Sequence, residues 1–145
     1  MPRRNNPRPT RRAEAKMDLY TNWLNNIRNA SIGRIVLVKN VKAKRILEAL
    51  KVRNVIAYTQ MKPEYKLFDY LHKKKKEVIM LFGADRTNNA LCEKLRGRML
   101  QEKIKANTRF RKPLFADDMK DMDGILAFLH KHVADSPRKR RAVKY

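Results

Sequence analysis

Cysteine, acidic residues and long hydrophobic runs are all scarce in this chain of 145 residues. The one cysteine, Cys92, excludes an internal disulfide and any zinc site built from several cysteines. No apolar run approaches the roughly 18 to 20 residues that span a bilayer. The three histidines stand at no spacing typical of a metal site. We therefore expect a cytoplasmic protein with no metal, no cofactor and no membrane partner.

Basic residues are abundant. Lysine and arginine number 36 against 14 aspartates and glutamates, which gives a formal net charge of +22. A chain with this surplus repels itself unless a polyanion lies nearby. The hydrophobic fraction, 43%, is close to that of ordinary globular proteins and argues against disorder along the whole chain. The composition indicates a small folded domain that binds phosphate groups of a large partner, and no small-molecule substrate is expected.

The chain divides into one domain and two basic arms. Residues 1–16 and 134–145 are rich in arginine, lysine and proline, as is typical of arms that fold on binding nucleic acid. The alternative is a nuclear-localisation or solubilising tail, which two arms on one small basic domain disfavour. The apolar content rises between them, so residues 17–133 are predicted to form a single domain that begins with a capping helix.

Short β-branched runs alternate with helical periodicity through this domain. Strands are predicted at 35–38, 54–59 and 77–82, with an edge strand over 107–115 that places Arg109 and Arg111 on one face. Helices are predicted at 17–30, 41–51, from Pro63 to the lysine run, at 87–104 and at 118–132, with Leu100 in the buried stripe of the helix at 87–104. The order predicts an α/β fold with a small, mostly parallel four-stranded sheet and helices on both faces.

The run EVIMLFGADRTNNALCEKLRGRML, residues 77–100, resembles the third strand, acidic turn and helix of the Toprim domain of primases, topoisomerases and small maturation nucleases. It is most similar to the small stand-alone Toprim proteins of archaea. The resemblance covers about residues 34–130, including KDMDGILAFL near its end. In this family one strand ends in Glu-Gly, and a later strand ends in Asp-x-Asp-Arg-x-Gly. The resemblance implies a Toprim-like fold with its site at these two strand ends.

The sequence departs from the family pattern at the acids. The resemblance places the general acid/base glutamate at Lys39 and the first metal-binding aspartate at Gly83, and keeps only the second, as Asp85. One carboxylate beside Lys39 and Arg86 supports neither Mg²⁺ binding nor acid–base catalysis. We therefore predict that the protein is not an enzyme and that Asp85 caps a helix or forms an ion pair. A carboxylate that folds back could rebuild a metal site, the candidates being Asp117, Asp118 and Asp121.

Candidate nucleic-acid ligands lie at the start of the long helix, in the lysine run and in the arms. Backbone N–H groups at that helix start, with Asn89 nearby, could hold phosphate, or could be solvated polar groups. The lysine run is explained equally well as a solvated helix end. The predicted binding residues are Arg3, Arg4, Arg8, Arg11, Arg12, Lys39, Lys73, Lys74, Lys75, Lys76, Arg86, Asn88, Arg109, Arg111, Lys112, Arg138, Lys139, Arg140, Arg141 and Lys144.

These features favour a non-catalytic structural RNA-binding protein. Small size, high positive charge and two arginine-rich arms are typical of ribosomal proteins, which neutralise folded rRNA in a salt-dependent manner. We expect partners in rRNA and neighbouring ribosomal proteins, in an archaeal ribosome if the resemblance holds. One alternative is a Mg²⁺-dependent Toprim nuclease that acts on rRNA precursors or DNA. A second is a chromatin-type DNA-binding protein, because phosphate contacts carry no sequence information.

Overall fold

A computed structural model describes the backbone of residues 11–111 and 122–134 and the side chains of residues 18–111 and 124–131. Predictions that concern residues 1–10, 112–121 and 135–145 lie outside the described residues. Within the described part of the chain, no helix is long and apolar enough to cross a bilayer.

Helices and strands alternate along the chain. In the described residues the helices are α1 (Arg11–Ala30), α2 (Val41–Ala49), α3 (Glu64–Lys74), α4 (Arg86–Gln101) and α5 (Met122–Ala134). The strands are β1 (Ile35–Val38), β2 (Val55–Ala57), β3 (Val78–Leu81) and β4 (Ala106–Asn107). Pro63 is the N-cap of α3, next to the first helical turn where the sequence predicts it.

The four strands form one parallel sheet in the order β2-β1-β3-β4. The two central strands, β1 and β3, are buried along their whole length. Their continuous apolar, β-branched runs suit this position, since both faces of a central parallel strand are covered. The sheet confirms the predicted α/β class with a small parallel sheet and helices on both faces.

Each face of the sheet carries its own hydrophobic core. Alternate residues of a strand point to opposite faces, so Val36 and Val38 of β1 pack with α1, α2 and α5. Ile35 and Leu37 pack on the other face with α3 and α4. Because α3 and α4 share this second face and both lead back into strands, both helices end at the amino ends of the strands.

The first helix begins at Arg11, before the predicted start at residue 17. Ala13 and Ala15 are strong helix formers, and Glu14 lies near the helix N-terminus, where the helix dipole favours a negative charge. The backbone of Arg11 and Arg12 is therefore helical, although the predicted arm, residues 1–16, includes both.

The edge strand β4 is present but is shorter than predicted: it ends at Asn107, so its predicted continuation over 108–111 is wrong, and residues 112–115 lie outside the described residues. Strand β4 pairs with β3 only through Ala106 and Asn107. The side-chain Oδ1 of Asn107 accepts a hydrogen bond from the backbone N–H of Arg109 at 2.9 Å, which bends the chain into a 3₁₀ turn over 109–111. Arg109 and Arg111 consequently do not share a strand face.

One residue predicted to be buried is exposed. Leu100 is 79% exposed, and Tyr65 of α3 is 58% exposed. Leu67, Phe68 and Leu71 fill the buried stripe of α3, and Met99 rather than its neighbour Leu100 completes that of α4. Cys92 is buried, and burial raises the pKa of its thiol, which makes it a poor nucleophile.

Candidate nucleic-acid interface

The carboxyl ends of β1 and β3 lie side by side, because Val38 pairs with Leu81. In open α/β sheets this is the edge where ligands bind. Strand β1 leads into Lys39 and Asn40, and β3 leads into the turn Phe82–Asp85 that precedes α4. We call these segments, with the first turn of α4, the carboxyl edge.

Asp85 is the N-cap of α4. Its Oδ1 accepts a hydrogen bond from the backbone N–H of Asn88 at 3.0 Å, and its Oδ2 accepts one from the side-chain Nδ2 of Asn88 at 2.6 Å. These hydrogen bonds hold the pKa of Asp85 below its ordinary value, and the charge of nearby Lys39 adds to the effect. The prediction that Asp85 caps the long helix is confirmed.

The start of α4 offers little to a phosphate group. The Asp85 carboxylate already occupies the place at which a helix N-terminus binds an anion. The backbone N–H of Asn88 donates to that carboxylate, and the N–H of Asn89 donates to the Asp85 carbonyl at 2.8 Å. The N–H groups of Asn88 and Asn89 and the Asn88 Nδ2 thus already donate within the protein, and their use as phosphate ligands stays a prediction. Arg86 remains exposed at the helix start.

Arg111 closes the end of β3 from the opposite side. Its guanidinium donates to the Phe82 carbonyl at 2.9 Å, to the Gly83 carbonyl at 2.7 Å and to Oδ1 of Asn89. A cation thus lies against Gly83, where the Toprim resemblance expects a metal-binding carboxylate. The sequence had assigned Arg111 to nucleic acid, but its donors point into the protein.

Polar groups at the end of β1 are likewise hydrogen-bonded within the protein. The Oδ1 atom of Asn40 accepts a hydrogen bond from the backbone N–H of Ala43 at 2.8 Å and caps α2. Lys39 is half-buried, and its carbonyl accepts from the N–H of Thr59 at 3.1 Å. Among the described residues no group of three histidine, cysteine, aspartate or glutamate side chains could hold a metal ion. The described carboxyl edge therefore offers Asp85 as its single carboxylate, and this carboxylate serves the backbone.

The opposite end of the sheet has a different character. A cavity of about 400 Å³ opens there, between the ends of α3 and α4 and the starts of β3 and β4. Four lysines line it: Lys75, Lys76, Lys103 and Lys105. Leu71, His72, Glu77 and Ile104 complete its wall. We call this cavity the lysine pocket. The predicted run Lys73–Lys76 is thus divided, since Lys73 and Lys74 are not part of the pocket wall.

The carboxylates next to the lysine pocket already have cationic partners. Glu77 pairs with Arg34 at 2.9 Å, and this hydrogen bond holds the pKa of Glu77 below its ordinary value. Glu102 pairs with His72 at 2.6 Å and with Arg98 at 2.9 Å, and these bonds lower the pKa of Glu102 in the same way. Both acids are therefore bound to groups other than the four lysines, and only Lys105 adds an electrostatic interaction, with Glu77.

The remaining predicted ligands are placed as follows. Arg109 is exposed at the rim of an apolar cavity of about 360 Å³ that Leu19, Trp23 and Phe110 help to line. Trp23 Nε1 donates to the Phe110 carbonyl at 2.7 Å, so this tryptophan anchors α1 to the turn, as a core residue would. The side chains of Arg11 and Arg12 lie outside the described residues, as do Arg3, Arg4, Arg8, Lys112, Arg138, Lys139, Arg140, Arg141 and Lys144.

Comparison with known proteins supports the fold and gives no function. No family model and no curated protein matches the chain. The chain is similar to the solved structure of a protein from Aquifex aeolicus, with a TM-score of 0.67 and 22% identity. The match covers 72% of this chain and 95% of that one. At this identity the likeness shows a shared α/β fold and nothing further.

Proposed function

We propose that the protein is a non-catalytic structural RNA-binding protein that belongs to a ribonucleoprotein particle, the ribosome being the particle its composition fits best. The observation that carries the proposal is a large surplus of cations without acidic partners. The formal net charge is +22. Five glutamates already lie in ion pairs with cations of the protein itself: Glu48, Glu64, Glu77, Glu93 and Glu102.

Folded RNA is the polyanion that suits this surplus. Its closely spaced phosphates release bound counterions when lysines and arginines replace them, and this release drives association. The arginines of both terminal arms fit the same partner, because a guanidinium matches phosphate geometry and stacks on unpaired bases. A small domain with basic arms at both ends can reach several RNA segments at once. We extend this proposal to rRNA and to association with the ribosome.

The absence of catalysis is part of the proposal. Phosphoryl transfer needs a group that activates or protonates an oxygen, and Mg²⁺ is held by carboxylates together with substrate phosphates. At the carboxyl edge the two other Toprim acid positions are Lys39 and Gly83, and Asp85 is engaged as a helix cap. The geometry supports a retained scaffold rather than a nuclease.

Binding measured as a function of salt tests the proposal. The full chain is titrated with a fluorescent folded rRNA fragment and with a DNA duplex of equal length, at several KCl concentrations. We expect tighter binding to the RNA at moderate salt, a steep decrease of affinity with salt, and co-sedimentation with ribosomal subunits. Equal affinity for the duplex would favour a DNA-binding protein. Mg²⁺-dependent cleavage that Asp85→Ala abolishes would establish the nuclease instead.

A further inference from the structure

We propose that the lysine pocket binds a phosphodiester of the RNA backbone, so that the protein docks RNA at the amino ends of its strands. This edge lies opposite to the one where open α/β sheets bind their ligands. The inference rests on the proposed function and specifies where the RNA is held.

The fold brings together two lysine segments that are far apart in the sequence. Lys75 and Lys76 follow α3, whereas Lys103 and Lys105 follow α4. Both helices pack on the same face of the sheet, and all four lysines line one cavity. A run of lysines after one helix is explained by the helix dipole. Convergence of two such segments on one cavity is not, because the dipole acts on each helix separately.

The backbone conformation makes two of these lysines replaceable by glycine. Lys75 and Lys103 adopt φ values of 53° and 61°, in the left-handed region that favours glycine. A glycine at either position would relieve the backbone and would remove the charge. Lys51 has a φ of 71° outside the pocket, so the left-handed backbone does not by itself mark a binding residue.

Of these four lysines, only Lys105 interacts with an acid of the described part of the protein, and that acid is Glu77. Lys75, Lys76 and Lys103 form no ion pair with any described residue. Glu77 and Glu102, the acids beside the pocket, are bound to Arg34, His72 and Arg98. Four like charges around one cavity repel each other, and an anion between them would remove that repulsion.

The chemistry of the pocket suits a phosphodiester. Lysine ammonium groups are point charges on flexible stems, so they contact phosphate oxygens without the fixed geometry of an arginine fork. The cavity, about 400 Å³, lies in the range of small-ligand sites. Leu71 is buried and Ile104 is half-buried, so packed apolar side chains form the part of the wall between the lysines.

The test replaces lysines of the pocket with glycine, singly and in combination, and compares them with the same substitution at a lysine outside the pocket. Lys51 follows α2, is exposed, has a φ of 71° and does not line the pocket. Lys51→Gly therefore makes the same chemical change in the same kind of backbone position as Lys75→Gly and Lys103→Gly. All three variants should fold, because glycine is the residue favoured at each position.

We expect the double variant K75G/K103G to bind the folded rRNA fragment about tenfold more weakly than the wild type and to lower the slope of log affinity against log salt by about one. K51G should change the affinity by less than about twofold, as expected for an exposed charge without a phosphate contact. Equal losses in K51G and in either pocket variant would mean that only total charge matters, which would overturn the pocket.

A titration with inorganic phosphate distinguishes a phosphodiester of RNA from a free anion as the ligand of the pocket. We expect phosphate to raise the thermal midpoint of the wild type and of K51G more than that of K75G/K103G. Stabilisation by phosphate together with unchanged RNA affinity in K75G/K103G would overturn the RNA proposal in favour of a free-anion site. Loss of affinity for an acidic peptide in the pocket variants, with RNA binding intact, would likewise overturn it in favour of a protein partner.

Failure of the pocket is distinguishable from failure of the proposed function. If the wild type binds the rRNA fragment and K75G/K103G binds it equally well, the pocket is overturned and the proposed function stands. If the wild type does not bind folded RNA, the proposed function fails and the phosphodiester site fails with it.

Discussion

The two ends of the sheet differ in how their polar groups are satisfied. At the carboxyl edge, Asp85 is bonded to Asn88, and Arg111 is bonded to the Phe82 and Gly83 carbonyls. At the amino end, four lysines line one cavity, and Lys75, Lys76 and Lys103 form no ion pair with a described residue. The customary ligand edge of an α/β sheet can thus be closed by the protein itself. The location of a site then follows from unmatched charge rather than from the fold class.

This difference implies opposite responses to substitution. Hydrogen bonds that close the carboxyl edge stabilise the folded state, so their removal should lower stability and leave RNA affinity nearly unchanged. Mutual repulsion at the lysine pocket opposes folding slightly, so removal of a lysine there should leave stability nearly unchanged and lower RNA affinity.

The largest effect on stability is expected for Arg111→Ala. It leaves the half-buried Phe82 and Gly83 carbonyls without their charged donor, and we expect the free energy of unfolding to fall by about 3 kcal/mol. Urea denaturation monitored by circular dichroism measures it. Arg96→Ala removes an exposed arginine from α4 and is the control, with an expected change below about 0.5 kcal/mol. Equal effects of the two variants would contradict the closed edge.

Glu77→Gln tests the neutralised acid beside the lysine pocket. We expect a loss of about 1 kcal/mol at neutral pH, reduced by the partial exposure of Arg34. The folded-state pKa of Glu77 is lowered by Arg34, so its stabilisation is present above the unfolded pKa and is lost as the pH falls through the folded pKa. Urea titrations of the wild type and the variant should therefore converge in acid. A constant difference down to low pH would refute the ion pair.

Asp85→Ala removes the cap of α4. We expect the thermal midpoint to fall by about 3 °C, with Asp85→Asn close to the wild type because asparagine caps almost as well. The pKa of Asp85 is lowered, so the difference from D85A should be present above the unfolded pKa and disappear as the pH falls through the folded pKa. Differential scanning fluorimetry across pH checks both statements. A D85A variant as stable as the wild type would show that the cap is not important.

The smallest effect on stability is expected at the lysine pocket. Lys75→Gly relieves a left-handed backbone and removes a repelled charge, while it loses a favourable interaction with the helix dipole. We expect the free energy of unfolding to change by less than about 0.5 kcal/mol in urea denaturation. A loss as large as that of Arg111→Ala would mean that the lysine serves the fold and not a ligand.

The elements that could be predicted from the sequence are those that local pattern determines. Strands β1 and β3 were located because a continuous β-branched run is sufficient to indicate burial on both faces. The cap at Asp85 followed from its place before the long helix. The edge strand is shorter than predicted because the side chain of Asn107 accepts a hydrogen bond from the Arg109 N–H, and the chain turns there.

The candidate site required tertiary information. Arg111 donates to the carbonyls of Phe82 and Gly83, which are far from it in the sequence, and no pattern of neighbouring residues predicts this contact. Lys75 and Lys103 are 28 positions apart in the sequence and meet only because α3 and α4 end at the same side. One local signal was available: each of these helices is followed by lysines rather than by the glycine that is common at helix ends.

NMR chemical-shift mapping tests the contrast between the two ends most directly. The uniformly ¹⁵N-labelled full chain is titrated with a short folded rRNA fragment at moderate salt. We predict that the amide signals of residues 75–77 and 103–105 shift with the RNA concentration, whereas those of residues 39–40 and 83–89 stay in place. Shifts concentrated at 39–40 and 83–89, with the lysine segments unmoved, would contradict the account.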